Sequence, residues 1–281
     1  MKKRILESVL PAALCMVLFA GVFIPAFTPD AAADPPVEVS VLFEGVEMDM
    51  ETPSVIINST TYVPLLEFCA ALDPDSLAND GDSGVATAFG MPVSASAGDC
   101  YIVANERYLY TPALIREIDD LVYVPLRLLG RVFGLNVIWL ADTKTVVIIQ
   151  SFDMIESGSS FYDDSEVYWM SRIINAEAGG ECMEGKIAVG NVIMNRVGSS
   201  NCPDTVYDVI FDNKFGVQFT PAYSGAINRS PNQESIIAAK LALEGANVVG
   251  DSMYFNVSYM GSWASKNRPY VTTIGNHSFY S

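Results

Sequence analysis

The 281-residue chain is 50% hydrophobic and 17% charged, and its 33 Asp and Glu outnumber 16 Lys and Arg for a formal net charge of −17. With no basic stripe for phosphate contacts, this balance argues against nucleic acid as a partner. A single histidine, His277, disfavours zinc peptidases and amidases, which draw two or more ligands from histidine, and leaves any Ser-His-Asp or Cys-His arrangement only that residue. Neither a G-x-x-x-x-G-K-[ST] nor a G-x-G-x-x-G loop occurs, so no cofactor and no metal is expected.

Lys2-Lys3-Arg4, a mostly apolar run from Val9 to Phe27, and Ala31-Ala32-Ala33 before Asp34 predict a signal peptide over residues 1–33. Pro11, Pro25 and the A-x-A site favour export with removal over a retained anchor, and thus a secreted or cell-envelope location. Cys15 follows Leu14 inside the apolar run, which disfavours lipidation. About 250 residues remain, enough for two compact domains. Residues 34–163 hold 20 acids against 5 bases, whereas residues 164–281 hold 11 against 8. An acidic module over 34–150 is therefore expected, then a linker over 151–163 and a nearly balanced domain over 164–281.

The first module contains a repeat: Thr61-Tyr62-Val63-Pro64-Leu65 recurs as Val122-Tyr123-Val124-Pro125-Leu126, each copy followed by an apolar segment of helical spacing. Asn136 to Trp139 and Thr145 to Ile149 read as strands joined at Ala141-Asp142-Thr143-Lys144. The order "YVPLR", helix, "GLNVIW" and "TKTVVI" resembles the copper amine oxidase N-terminal-like domain, an α+β stalk module of exported bacterial proteins. Copper chemistry does not follow, because this module has no histidine at all. The resemblance implies a spacer or attachment domain, with the acidic stalk as the part that touches the cell wall or envelope. The acidic loop Asp73 to Asp82 departs from EF-hand spacing and reads as a solvated turn. Outside the signal peptide lie Cys69, Cys100, Cys182 and Cys202, for which pairing within each half is the simplest arrangement in an exported chain.

In the second half, Asp163, Asp164 or Ser165 caps a helix running to Ala178, with Gly179-Gly180 at its end. A second helix is predicted from Cys182 or Met183 to Val197, and a short one from Thr205 to Phe211. Ser230-Pro231-Asn232-Gln233 gives an N-cap, Pro at N1 and Gln at N3 for a helix to about Gly245, and Ser252 to Val257 is the best strand. Helical spacing back from Glu177 meets Ile174, Ile173 and Met170, so a carboxylate ends an apolar stripe. Desolvation there would raise its pKa and suit it to general acid work; a solvated residue at a helix end is the alternative.

"RIINAEAGGE", "EGKIAVGNVIMNRV", "VYDVIF", "QFTP", "MYFN" and "IGNHSFY" occur in the order of the SleB-like cell wall hydrolases, the family typified by spore cortex-lytic enzymes. The resemblance covers essentially the whole second half and implies a mainly helical lysozyme-like domain, so that the chain as a whole is α+β. It further implies a peptidoglycan glycan strand as partner and Glu177 as the catalytic acid. Cys182, Cys202 and the acidic stalk depart from the family pattern, which bears on a spore-germination role rather than on the chemistry.

One carboxylate suffices for a lytic transglycosylase, which protonates the glycosidic oxygen leaving N-acetylmuramic acid and then deprotonates the sugar's own C6 hydroxyl. Muramidase-type hydrolysis by water is the alternative and normally needs a second carboxylate; Glu181 and Glu184 are the nearest in sequence and read as solvated or capping. Gln218, Tyr254 and Asn256 are expected to hydrogen-bond the substrate, with Phe219 or Trp263 as surfaces for sugar rings. Asn195-Arg196 reads as a brace. An inactive wall-binding protein, or a cysteine peptidase using Cys182 or Cys202 with His277, are the competing functions.

Overall fold

The computed structural model describes residues 35–74, 84–258 and 261–281. The expected signal peptide and residues 75–82 of the acidic loop lie outside the described residues. The first half comprises β1 (Val37–Phe43), β2 (Val46–Glu47), β3 (Ser54–Ile57), β4 (Thr60–Pro64), α1 (Leu65–Leu72), β5 (Val85–Ala88), β6 (Met91–Ala95), β7 (Tyr101–Ala104), β8 (Arg107–Tyr110), β9 (Arg116–Ile118), β10 (Leu121–Pro125), α2 (Leu126–Phe133), β11 (Leu135–Leu140) and β12 (Thr145–Gln150). Its larger sheet has the order β11-β12-β1-β3-β4-β10-β9, with β2 paired to β1, while β5-β6-β7-β8 forms a separate meander.

The repeat explains the centre of the larger sheet. Its two copies, β4 and β10, pair antiparallel with Val124 opposite Val63. In each, a valine is held extended by the following proline, and the proline, which has no N–H to place, ends the strand immediately before a helix. Tyr62 and Tyr123 are buried alike and donate from Oη to the carbonyls of Leu114 and Pro53, at 3.0 and 3.1 Å. Phe68, Leu126, Leu129 and Phe133 from the two helices fill one core with Val93, Ile102 and Leu109 from the meander.

The second half comprises α3 (Gly158–Phe161), α4 (Asp164–Ala178), α5 (Met183–Val197), α6 (Val206–Ile210), α7 (Thr220–Ser224), α8 (Gln233–Leu243), β13 (Tyr254–Val257), α9 (Trp263–Asn267), β14 (Tyr270–Ile274) and β15 (His277–Tyr280). It is mainly helical, with one small sheet ordered β13-β15-β14, so the chain is α+β as expected. Asp163 caps α4 by accepting from the amides of Ser165 and Glu166. The start of α8 differs from expectation: Asn232 and not Ser230 is the N-cap, accepting from Ser235 N at 2.8 Å. Asn175 of α4 fixes this register, because its Oδ1 accepts from Asn232 N at 3.0 Å.

Where α5 crosses α8, a Cβ on Gly190 would stand 2.8 Å from Ala242 Cβ and 3.2 Å from Ile174 Cδ1. Gly190→Leu is therefore expected to cost about 2–3 kcal/mol by overpacking, read by urea denaturation.

The two halves form one compact unit over Pro35–Ser281. Cys100, directly before β7 of the meander, is buried in the second core, and Tyr101, Tyr108 and Tyr110 pack against that core. Residues 151–163, expected as a linker, are held down: Ile155 N donates to Val132 O at 3.1 Å and Gly158 N to Asn105 O at 2.8 Å. Arg107 of β8 meets Glu244 at the end of α8 through two bonds of 2.7 Å, and Tyr162 Oη donates to the same carboxylate at 3.0 Å.

Pairing of cysteines within each half is not what the structure shows, since all four are free thiols. Cys69 lies in the first core and Cys100 in the second, and burial pushes their thiols up to about 12 and about 11. Cys182 and Cys202 sit beyond opposite ends of α5, a 15-residue helix about 22 Å long.

Candidate active site

Helix α4 sinks Met170, Ile173 and Ile174 fully into the core, and Ala178 closes the stripe at 1% exposure. Glu177 emerges from the end of that stripe into a cleft of about 1220 Å³. Its carboxyl is half-buried and, among the described residues, makes no hydrogen bond or ion pair. Loss of water is the sole cause acting on it and pushes its pKa up to about 7. Near neutral pH such a group holds a proton and releases it readily, as a general acid and then a general base must.

Gln218, Tyr254, Asn256 and Trp263 line the same cleft. Asn256 Oδ1 accepts from Ser262 Oγ at 2.9 Å, and Gln218 Nε2 donates to Gly216 O at 2.8 Å. Trp263, 59% exposed, presents its ring edge-to-face to Tyr254 at 5.7 Å. Phe219 does not join them: at 1% exposure it is a core residue, packed near Phe255 with centroids 6.3 Å apart. The position just before α7 turns this ring inward.

Other charged residues line the same cleft. Arg196, read as a brace, does donate from Nε to Met253 O at 2.8 Å, but it also lines the cleft with its guanidinium 5.5 Å from the Tyr254 ring. Its burial lowers its pKa. Asp212 and Asp251 are the remaining carboxylates of the lining. Glu181 and Glu184 are elsewhere: Glu181 accepts from Asn276 N at 3.0 Å and Asn276 Nδ2 at 2.9 Å, which lowers its pKa and ties down the turn between β14 and β15. Glu184 lines a separate hollow beside Cys100. His277 is buried in the cleft wall, its ring 5.4 Å from Phe255, and burial lowers its pKa. It makes no hydrogen bond to Cys202, the one cysteine of the cleft lining among the described residues. That leaves the cysteine peptidase arrangement without its nucleophile–base contact.

The cell wall hydrolase family model matches residues 180–280, beginning just past Glu177, and the copper amine oxidase N-terminal domain model matches residues 42–148. The spore cortex-lytic enzyme of Oceanobacillus iheyensis is 35% identical over 119 residues, 42% of each chain. Those of Bacillus cereus and Bacillus subtilis are 34% and 30% identical over the same length, 45% and 38% of their chains. The chain thus spans less than half the length of these curated relatives. A solved structure titled as the catalytic domain of a germination-specific lytic transglycosylase, SleB, from Bacillus anthracis is 30% identical. It covers 45% of this chain and all of that one, with a TM-score of 0.40. Residues 180–280 are a domain of the cell wall hydrolase family, joined to a copper amine oxidase N-terminal domain over residues 42–148.

Proposed function

We propose that the protein is an exported glycosidase that cleaves the peptidoglycan glycan strand at N-acetylmuramic acid, acting as a lytic transglycosylase with Glu177 as acid and then base. The observation that carries this reading is a carboxyl with no hydrogen-bond or ionic partner among the described residues, raised to about 7 by desolvation, in a cleft of about 1220 Å³. In the first half-reaction Glu177 gives its proton to the glycosidic oxygen as the bond to C1 of the muramyl residue breaks. Its carboxylate then takes the proton of the C6 hydroxyl as O6 bonds to C1, closing a 1,6-anhydro ring. The proton count returns to its start and no water is consumed. Gln218, Tyr254 and Asn256 supply polar contacts to the strand, and Trp263 a face for a sugar ring. The names of the relatives, enzymes that lyse spore cortex, support the same substrate class.

Water attack has a specific footing in Asp212 and Asp251, which give the cleft carboxylates besides Glu177. Incubation of purified sacculi with the full chain is expected to release soluble muropeptides. Sacculus binding without any release would overturn the enzyme reading in favour of a wall-binding protein.

A further inference from the structure

Arg196 and Arg268 are the arginines of the cleft lining among the described residues, and Arg268 is the exposed one of the two. In a chain of net charge −17, it lines the cleft and has no acidic partner among the described residues. It follows α9 directly, and its amide donates to Ala264 O at 2.9 Å, which fixes the backbone. The guanidinium carbon lies 4.9 Å from the Tyr254 ring centroid and 5.2 Å from that of Trp263, and Nη2 donates to Tyr254 Oη at 3.1 Å. Two aromatic rings and one hydrogen bond thus hold it at the cleft while four of its five N–H donors remain uncommitted among the described residues.

A guanidinium held in this way presents a planar fork suited to a carboxylate. Tyr254, expected to hydrogen-bond the substrate, and Trp263, expected to face a sugar ring, are the same rings that position it. We infer that Arg268 is a specificity-determining residue that binds a carboxylate carried on the muramyl residue of the strand. This rests on the glycan-cleaving reading above and adds to it a requirement for an anionic substituent. Two sources have that chemistry, the free lactyl carboxylate of a muramyl residue without peptide and the carboxylates of the stem peptide.

Binding of soluble glycan strands to the full chain carrying Glu177→Gln tests this without turnover, by calorimetry with three preparations: intact strands, strands whose carboxylates are amidated with methylamine, and strands stripped of peptide by an amidase. The strands that present the carboxylate, intact ones for the stem peptide and stripped ones for the lactyl group, are expected to bind about tenfold tighter than amidated ones. Adding Arg268→Gln should abolish that difference without altering thermal unfolding, and Arg268→Lys should restore part of it. An advantage shown by stripped strands identifies the lactyl carboxylate, and one shown by intact strands and lost on stripping identifies the stem peptide. A preference over amidated strands that survives Arg268→Gln, or the absence of any such preference for both intact and stripped strands in the parent, overturns the inference. Failure of the glycosidase reading would show separately, as wild-type protein that releases nothing from sacculi.

Discussion

Glu177→Gln is expected to lower muropeptide release from sacculi at least about 10³-fold, because the amide keeps the shape and neither gives nor takes a proton. In the parent, activity that needs the protonated acid should fall as pH rises through about 7, the value to which burial pushes this carboxyl. Stability carries a second signature. Between the ordinary carboxyl value of 4.5 and about 7 the folded chain keeps a proton that the unfolded chain has released. The folded state is therefore penalised progressively as pH rises across that window, and the penalty is complete above it. The Gln variant escapes it, so above pH 8 it should be more stable than the parent by about 2 kcal/mol, a figure reduced for partial access of the carboxyl to cleft water. Near pH 4 the two proteins should unfold alike. A variant that is inactive and also destabilised at pH 8 would assign Glu177 a structural role.

The second large effect belongs to the contact between the halves. Glu244 is 1% exposed at its side chain and depends on Arg107, 11% exposed, for two bonds of 2.7 Å. Arg107→Ala leaves the carboxylate buried with Tyr162 Oη as its remaining close donor and Arg131 at 4.0 Å. Breaking such a pair from one side costs about 3–5 kcal/mol, which for a unit of this size lowers the melting temperature by about 10 °C. Leucine at both positions should recover most of the loss, because two apolar residues leave no charge without water. Guanidinium denaturation of the two variants beside the parent checks this. An Arg107→Ala loss below about 1 kcal/mol would mean that water reaches Glu244.

What the sequence revealed divides along physical lines. Local signals were legible: Asp163 as cap, the apolar stripe that leads to Glu177, and the Val-Pro steps that turn strand into helix. The start of α8 was misplaced by two residues, because Ser230-Pro231 and Asn232 both offer capping chemistry and the choice is made by Asn175, 57 residues away. Phe219 shows the limit of composition, since an aromatic ring beside a polar Gln218 looks the same whether it turns toward the cleft or the core. Contacts over long separations left no trace at all. Arg107 and Glu244 are 137 residues apart, and nothing in either neighbourhood announces the other. The docking of the meander's tyrosines on the second core was hidden for the same reason. Arg196 sat in a recognisable block, but its donation to Met253 O made brace and cleft roles indistinguishable without the cleft itself.

The central claim is that Glu177 alone serves both proton transfers and that the muramyl C6 hydroxyl, not water, completes the reaction. Mass spectrometry of the new sugar ends, after digestion of sacculi in water enriched in oxygen-18, tests it most directly. Anhydro-muramyl ends without label are the predicted product. Reducing muramyl ends carrying the heavy oxygen would contradict the claim and assign the second step to water.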